Sequence, residues 1–112
     1  MGGEGIIVTD SKGSYEFRTE GGSLYALLPG RLGANECPQI EDELEKHLAD
    51  APQSVVFDLK DTDFVSSAFL RVCIRTGKHL EAGRLSIINA SPLIKEVLMA
   101  AGFDRVPVIS VQ

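Results

Sequence analysis

Residues 14–19, Ser-Tyr-Glu-Phe-Arg-Thr, alternate apolar and polar side chains, the period of a half-buried strand. Gly21-Gly22 turns the chain and Leu24–Leu28 gives a second strand, so 14–28 reads as a hairpin closed by Pro29-Gly30. Ahead of it, Ile6-Ile7-Val8 is a short apolar run inside the Gly-rich and polar residues 1–13, which read as a flexible start or a weak edge strand. The period then changes. Cys37, Ile40, Leu44 and Leu48 recur at helical spacing. Asn35 is expected to cap that helix, with Pro38 in the first turn, where its missing N–H does little harm. The helix should end near Asp50, before Pro52, and Asp42 and Lys46 on its polar face form a favourable i,i+4 pair.

Val55-Val56-Phe57 is continuously apolar, as in a strand covered on both faces. Ser66 or Ser67 then caps a second helix running to about Ala82, with Gly83 as its C-terminal stop. Leu85-Ser86-Ile87-Ile88 is the next strand. Strand, helix and strand form a βαβ unit, for which parallel strands and a right-handed crossover are expected. Ser91 and Pro92 sit at N-cap and N1 of a third helix with the apolar arc Leu93, Ile94, Val97, Leu98 and Ala101. Gly102 ends it, Phe103 supplies a hydrophobic contact, and Val106–Ile109 is a last short strand. The expected architecture is one α/β domain over 1–112: a mixed sheet with an N-terminal hairpin and parallel βαβ strands, and three or more helices.

Charge narrows the partners. Lys and Arg total 11 against 16 Asp and Glu, a formal charge of −5, which argues against a phosphate-backbone binder. With no Trp and 6% aromatic residues there is little to stack bases on. The longest uncharged stretches, Gly21–Gly30 and Leu85–Ile94, are far short of the roughly 20 apolar residues of a membrane span. Met1-Gly2-Gly3-Glu4-Gly5 has neither a basic region nor an apolar one, so no signal peptide is expected. Cys37 and Cys73 match no metal spacing and read as small core residues in a reducing compartment, hence a cytoplasmic protein. Asn89-Ala90-Ser91, formally a glycosylation acceptor, then reads as a strand end and a helix cap.

Catalytic constellations are scarce. His47 and His79 project from outer or border helical faces without metal-spaced neighbours, and no Gly-rich phosphate loop is present, so no enzyme activity, cofactor or metal is expected. The informative segment is 58–72, where a strand ends, an acidic loop follows and Ser66 and Ser67 open a helix. A serine there caps the free N–H groups of the first turn, and a phosphate on it would meet the same groups and the positive end of the helix dipole. The helix that follows carries Arg71, Arg75 and Lys78 on its polar arc. They are either a solvated face balancing the acidic first helix or a stripe that steers an acidic partner. Phe69 sits at the edge of the apolar arc, as core or as a contact anchor beside the serines. Gly77, inside the helix, implies close approach to the sheet.

Val55–Leu59, Phe64–Val72, Gly83–Asn89, Ser91-Pro92 and Val97–Arg105 together resemble the STAS family, and within it the bacterial anti-sigma factor antagonists. Gly30–Asn35 is similar to the family's loop into the first helix. The resemblance covers about residues 14–110. It implies a switch that binds an anti-sigma factor, often a Ser/Thr kinase, and so releases a sigma factor to regulate transcription; the kinase phosphorylates a serine at the start of the second helix and a phosphatase reverses this. Laid on the family signature Asp-Ser-Ser/Thr-Gly-Leu, Ser66 takes the Asp place, Ser67 the phosphoacceptor place, Ala68 the next, Phe69 the Gly place and Leu70 the Leu. Ser66 is the alternative acceptor. The partner surface implied comprises Gly33, Ala34, Asn35, Ser66, Ser67, Phe69, Arg71 and Arg75. Two departures stand out: Ser66 replaces the Asp of the signature, and Gly33 replaces the usual loop Asp. The rival readings are a scaffold or regulatory module of a larger assembly and a small-molecule or nucleotide binder.

Overall fold

The computed structural model describes residues 4–10, 13–80 and 83–112, with side chains from Tyr15 onward. In chain order the elements are β1 (Glu4–Asp10), β2 (Gly13–Glu20), β3 (Ser23–Leu27), β4 (Arg31–Leu32), α1 (Cys37–Leu48), β5 (Ser54–Asp58), β6 (Phe64–Val65), α2 (Ser67–His79), β7 (Arg84–Ile88), α3 (Pro92–Ala100), a 3-10 turn (Phe103–Arg105) and β8 (Ile109–Val111). β1, β2 and β3 form an antiparallel meander, with Phe17 opposite Ala26. β5, β7 and β8 extend it in parallel, giving the order β1-β2-β3-β5-β7-β8.

From β3 to β8 every crossover steps one strand in the same direction. Right-handed connections therefore lay α1, α2 and α3 on one face of the sheet. Burial follows this. Leu24, Ala26, Val55, Phe57, Leu85 and Ile87 on the helix side are fully buried, whereas Tyr25, Leu27, Val56, Ser86 and Ile88 on the other side are half-buried. The expectation that Val55–Phe57 is covered on both faces is thus corrected: Val56 lies on the open face.

The core residues read from the helical period of α1, Cys37, Ile40, Leu44 and Leu48, are all buried. The cap differs. Glu36, not Asn35, is the N-cap of α1, and its carboxylate accepts from the Gly33 N–H at 2.9 Å instead of from an N–H of the helix. Lys46 pairs with Glu43 at 3.2 Å rather than with Asp42. Ser91 caps α3 through the Ile94 N–H, Gly102 is left-handed at φ 87°, and Phe103 is buried. The last strand starts at Ile109 rather than Val106, since Pro107 has no N–H to offer a ladder.

α2 ends at His79, and the end expected near Ala82 falls at residues 81–82, outside the described residues. Gly83 is not a left-handed stop. It lets two backbones meet: a Cβ there would lie 2.2 Å from the Gln53 carbonyl oxygen. Gly77 allows the approach expected of it, its hypothetical Cβ lying 3.2 Å from Val108 Cγ1 and 3.5 Å from Ile109 Cγ1. Gly83→Ala must push β5 and β7 apart at their N-terminal ends. The expected cost is about 1–3 kcal/mol, read as a lower urea midpoint at unchanged slope.

Candidate functional site

β4 and β6 are two residues each and pair in parallel, Arg31 with Phe64 and Leu32 with Val65, outside the main sheet. This pairing joins the loop before α1 to the start of α2. Its flanks are held by backbone bonds: Asp63 N and Phe64 N donate to Gly30 O at 2.8 and 3.2 Å, and Ser66 N donates to Leu32 O at 3.0 Å. The Thr62 hydroxyl, buried, donates to Pro29 O at 2.7 Å. Residues 30–36 and 62–67, which carry both parts of the expected site, thus form one surface.

Ser66 is the N-cap of α2. Its Oγ accepts from Ala68 N at 3.2 Å and donates to Leu32 O at 2.9 Å, so the hydroxyl is committed in both roles. Ser67 is the first helical residue and is exposed. Ala34 and Asn35 are exposed, and Gly33 is buried beneath them. The space a side chain at 33 would enter holds the Glu36 carboxylate, whose Oε1 is 2.9 Å from the hypothetical Cβ. The loop that lacks its acid at position 33 recovers one from three residues on.

Phe69 is corrected. It is 1% exposed and packs against Phe57 with ring centroids 5.9 Å apart, so it cannot touch a docked partner. The exposed aromatic side chain is Phe64, which lies under the Arg31 guanidinium at 4.3 Å from the ring centroid. Neither was read from the sequence, because their meeting depends on the β4–β6 pairing. Arg71 and Arg75 are both exposed, but the Arg75 Nη1 binds Glu41 Oε2 of α1 at 2.8 Å. The solvated, balancing role therefore holds for Arg75, and Arg71 and Lys78 keep the open part of the stripe.

A buried carboxylate lies at the end of β5. Asp58 accepts from the Tyr25 hydroxyl, from Asn89 Nδ2 at 3.0 Å and from Lys60 N at 3.0 Å, tying β3, β5 and the β7–α3 loop together at the edge from which the site projects. Burial alone would raise its pKa, but those hydrogen bonds outweigh burial and hold it below the usual carboxylate value. Tyr25 is pushed up to about 12, by burial first and then by the bond to Asp58. Burial also raises both thiols, Cys37 to about 11, as expected of inert core cysteines. No cluster of three or more His, Cys, Asp or Glu that could hold a metal occurs among the described residues. Among them, too, no helix is long and apolar enough to cross a membrane.

The described residues form a small α/β domain with an exposed serine at the start of α2. The family model described as Mlab, STAS domain, matches residues 18–110, and the chain belongs to the STAS domain family. It is 34% identical over 84 residues to a putative anti-sigma factor antagonist, BtrV, of Bordetella bronchiseptica, covering 73% of this chain and 72% of that protein. Its fold is similar to an anti-sigma factor antagonist from Mycobacterium paratuberculosis, at TM-score 0.74 and 18% identity over 96% of this chain and 86% of the other. It is similar also to the Bacillus cell fate determinant SpoIIAA in its phosphorylated form, at TM-score 0.64 and 16% identity over 97% and 91% of the two chains.

Asp58→Ala leaves the Tyr25 and Asn89 donors unpaired, and a loss of about 1–3 kcal/mol is expected at pH 7. Because the folded pKa of Asp58 is depressed, its contribution is present above the unfolded value of about 3.9 and fades as pH falls through the lower folded value. The stability gap between wild type and variant in urea titrations should therefore narrow as pH falls below the unfolded value. A gap that does not change with pH would show that the charge of Asp58 contributes nothing.

Proposed function

We propose that this protein is an anti-sigma factor antagonist: a cytoplasmic, non-enzymatic switch that binds an anti-sigma factor of the Ser/Thr kinase type and so frees a sigma factor. The surface joined by β4 and β6 is the contact, with Phe64, Arg31, Ala34, Asn35 and Ser67 in it. The kinase phosphorylates Ser67 and a phosphatase restores it. One observation carries the choice of acceptor: the Ser66 hydroxyl is spent on Ala68 N and Leu32 O, while Ser67 is exposed on the first turn. The relative named as an antagonist supports the class of partner.

Phosphate on Ser67 adds about −1.5 to −2 charge at pH 7. It sits at the positive end of α2, so the helix tolerates it while an acidic or apolar partner surface does not. The nucleotide-binding reading is less well supported. A cleft of about 1060 Å³ lined by Pro52, Gln53, Lys78, His79 and Arg84 lies at the other end of the strands, where α2 presents its carbonyl end. The negative end of the α2 dipole works against phosphate there, whereas Lys78 and Arg84 attract it.

Incubation with the anti-sigma factor kinase of the same genome and ATP should add one phosphate by intact mass to wild type and to Ser66→Ala, and none to Ser67→Ala. Phosphate on Ser67→Ala, or none on wild type, overturns the assignment. Phe64→Ala should weaken kinase binding by about 1–3 kcal/mol in calorimetry while leaving the fold intact.

A further inference from the structure

Arg31 stands on β4 in parallel register with Phe64 and lays its guanidinium over that ring, 4.3 Å from the centroid. Both side chains are exposed, and both lean forward along the pair. A Cβ at Gly33, two residues on, would lie 3.6 Å from Phe64 Cε2 and 3.9 Å from Arg31 Nε. Since 31 faces 64 and 32 faces 65, position 33 is level with position 66. The carbonyl of the Leu32–Gly33 peptide takes both the amide and the hydroxyl of Ser66. The Arg31 guanidinium therefore lies level with the serines, beside the residue that precedes Ser67.

A second arginine approaches from the other side. Arg71 follows Ser67 by four residues on α2, one turn along the same strip of helix surface. The bond of Arg75 to Glu41 turns that strip toward α1. One turn earlier on the two helices stand Arg71 and Cys37. Burial raises the Cys37 thiol, Glu36 and Glu41 add to the rise, and the charge of Arg71 opposes it, as that placement requires. Ser67 thus sits between Arg31, on the loop into α1, and Arg71, on its own helix.

Both arginines are exposed, and neither is in an ion pair among the described residues. The carboxylates around them are Glu36, which accepts from the Gly33 N–H, Glu41, which holds Arg75, and Asp61 and Asp63 in the loop before β6. A cation on an exposed ring is weakly held, whereas a phosphate offers it paired, charge-assisted hydrogen bonds. We propose that phosphate on Ser67 is received by Arg31 and Arg71 together, Arg31 turning from Phe64 to do so. The inference rests on the reading of Ser67 as phosphoacceptor and adds how that mark is read. The phosphate takes up the two cations that an acidic partner surface would meet, and it leaves the Phe64 ring without its own.

Phosphoserine placed at position 67 during translation makes the test independent of any kinase. The second ionisation of its phosphate, followed by phosphorus resonance, should lie about one unit lower with both arginines present than with Arg31→Ala, and likewise than with Arg71→Ala. Lys78→Ala, at the far end of α2, should leave it unchanged. The Arg31 Nε–H signal and the Phe64 ring signals should both move between the serine and phosphoserine forms, as the guanidinium leaves the ring. A titration that Arg31→Ala does not shift, or Arg31 and Phe64 signals identical in the two forms, overturns the proposal. If the kinase adds no phosphate to wild type the switch reading falls, and the titration still decides whether the two arginines take the phosphate.

Discussion

Two residues paired with two residues, Arg31-Leu32 against Phe64-Val65, give the site its form. Without that parallel contact the loop into α1 and the loop into α2 would be separate connections over the C-terminal ends of β3 and β5. With it, the Leu32 carbonyl meets both the amide and the hydroxyl of Ser66. The start of α2 is then set by a partner more than thirty residues away in the chain. Phe64, Arg31 and the exposed Ala34 and Asn35 are brought beside Ser67 by the same contact. Asp58 anchors the base from which this arrangement projects, through bonds to Tyr25 and Asn89.

Elements whose signal is local were legible in the sequence. The alternation of 14–19, the helical spacing from Cys37 to Leu48, Ser91-Pro92 and Gly102 all stand where the pattern puts them. Signals that depend on distant chain were not. Nothing local distinguishes Asn35 from Glu36 as a cap until the Gly33 N–H presents itself to the glutamate. The covering of Val56 depends on which face the helices choose, and that follows from strand order rather than from side-chain type. Phe69 and Phe64 are the clearest pair. Both are aromatic residues near the serines, and only the pairing of β6 with β4 lifts one to the surface while α2 lowers the other onto Phe57.

The charge distribution follows the same division. A net −5 describes the chain, but the molecule uses its charges in pairs and at ends. Arg75 pairs with Glu41 of α1, while Arg71 and Lys78 are exposed on the same helix. The exposed Arg75–Glu41 pair is worth little as stability. Its consequence is directional, since it marks the edge of α2 that faces α1.

Two serines stand side by side, and only one of them holds the helix. Ser66 supplies the side-chain cap of α2 at Ala68 N, while Ser67, the next residue, is exposed. Under the proposed phosphorylation of Ser67, the added charge would act on what docks rather than on what folds.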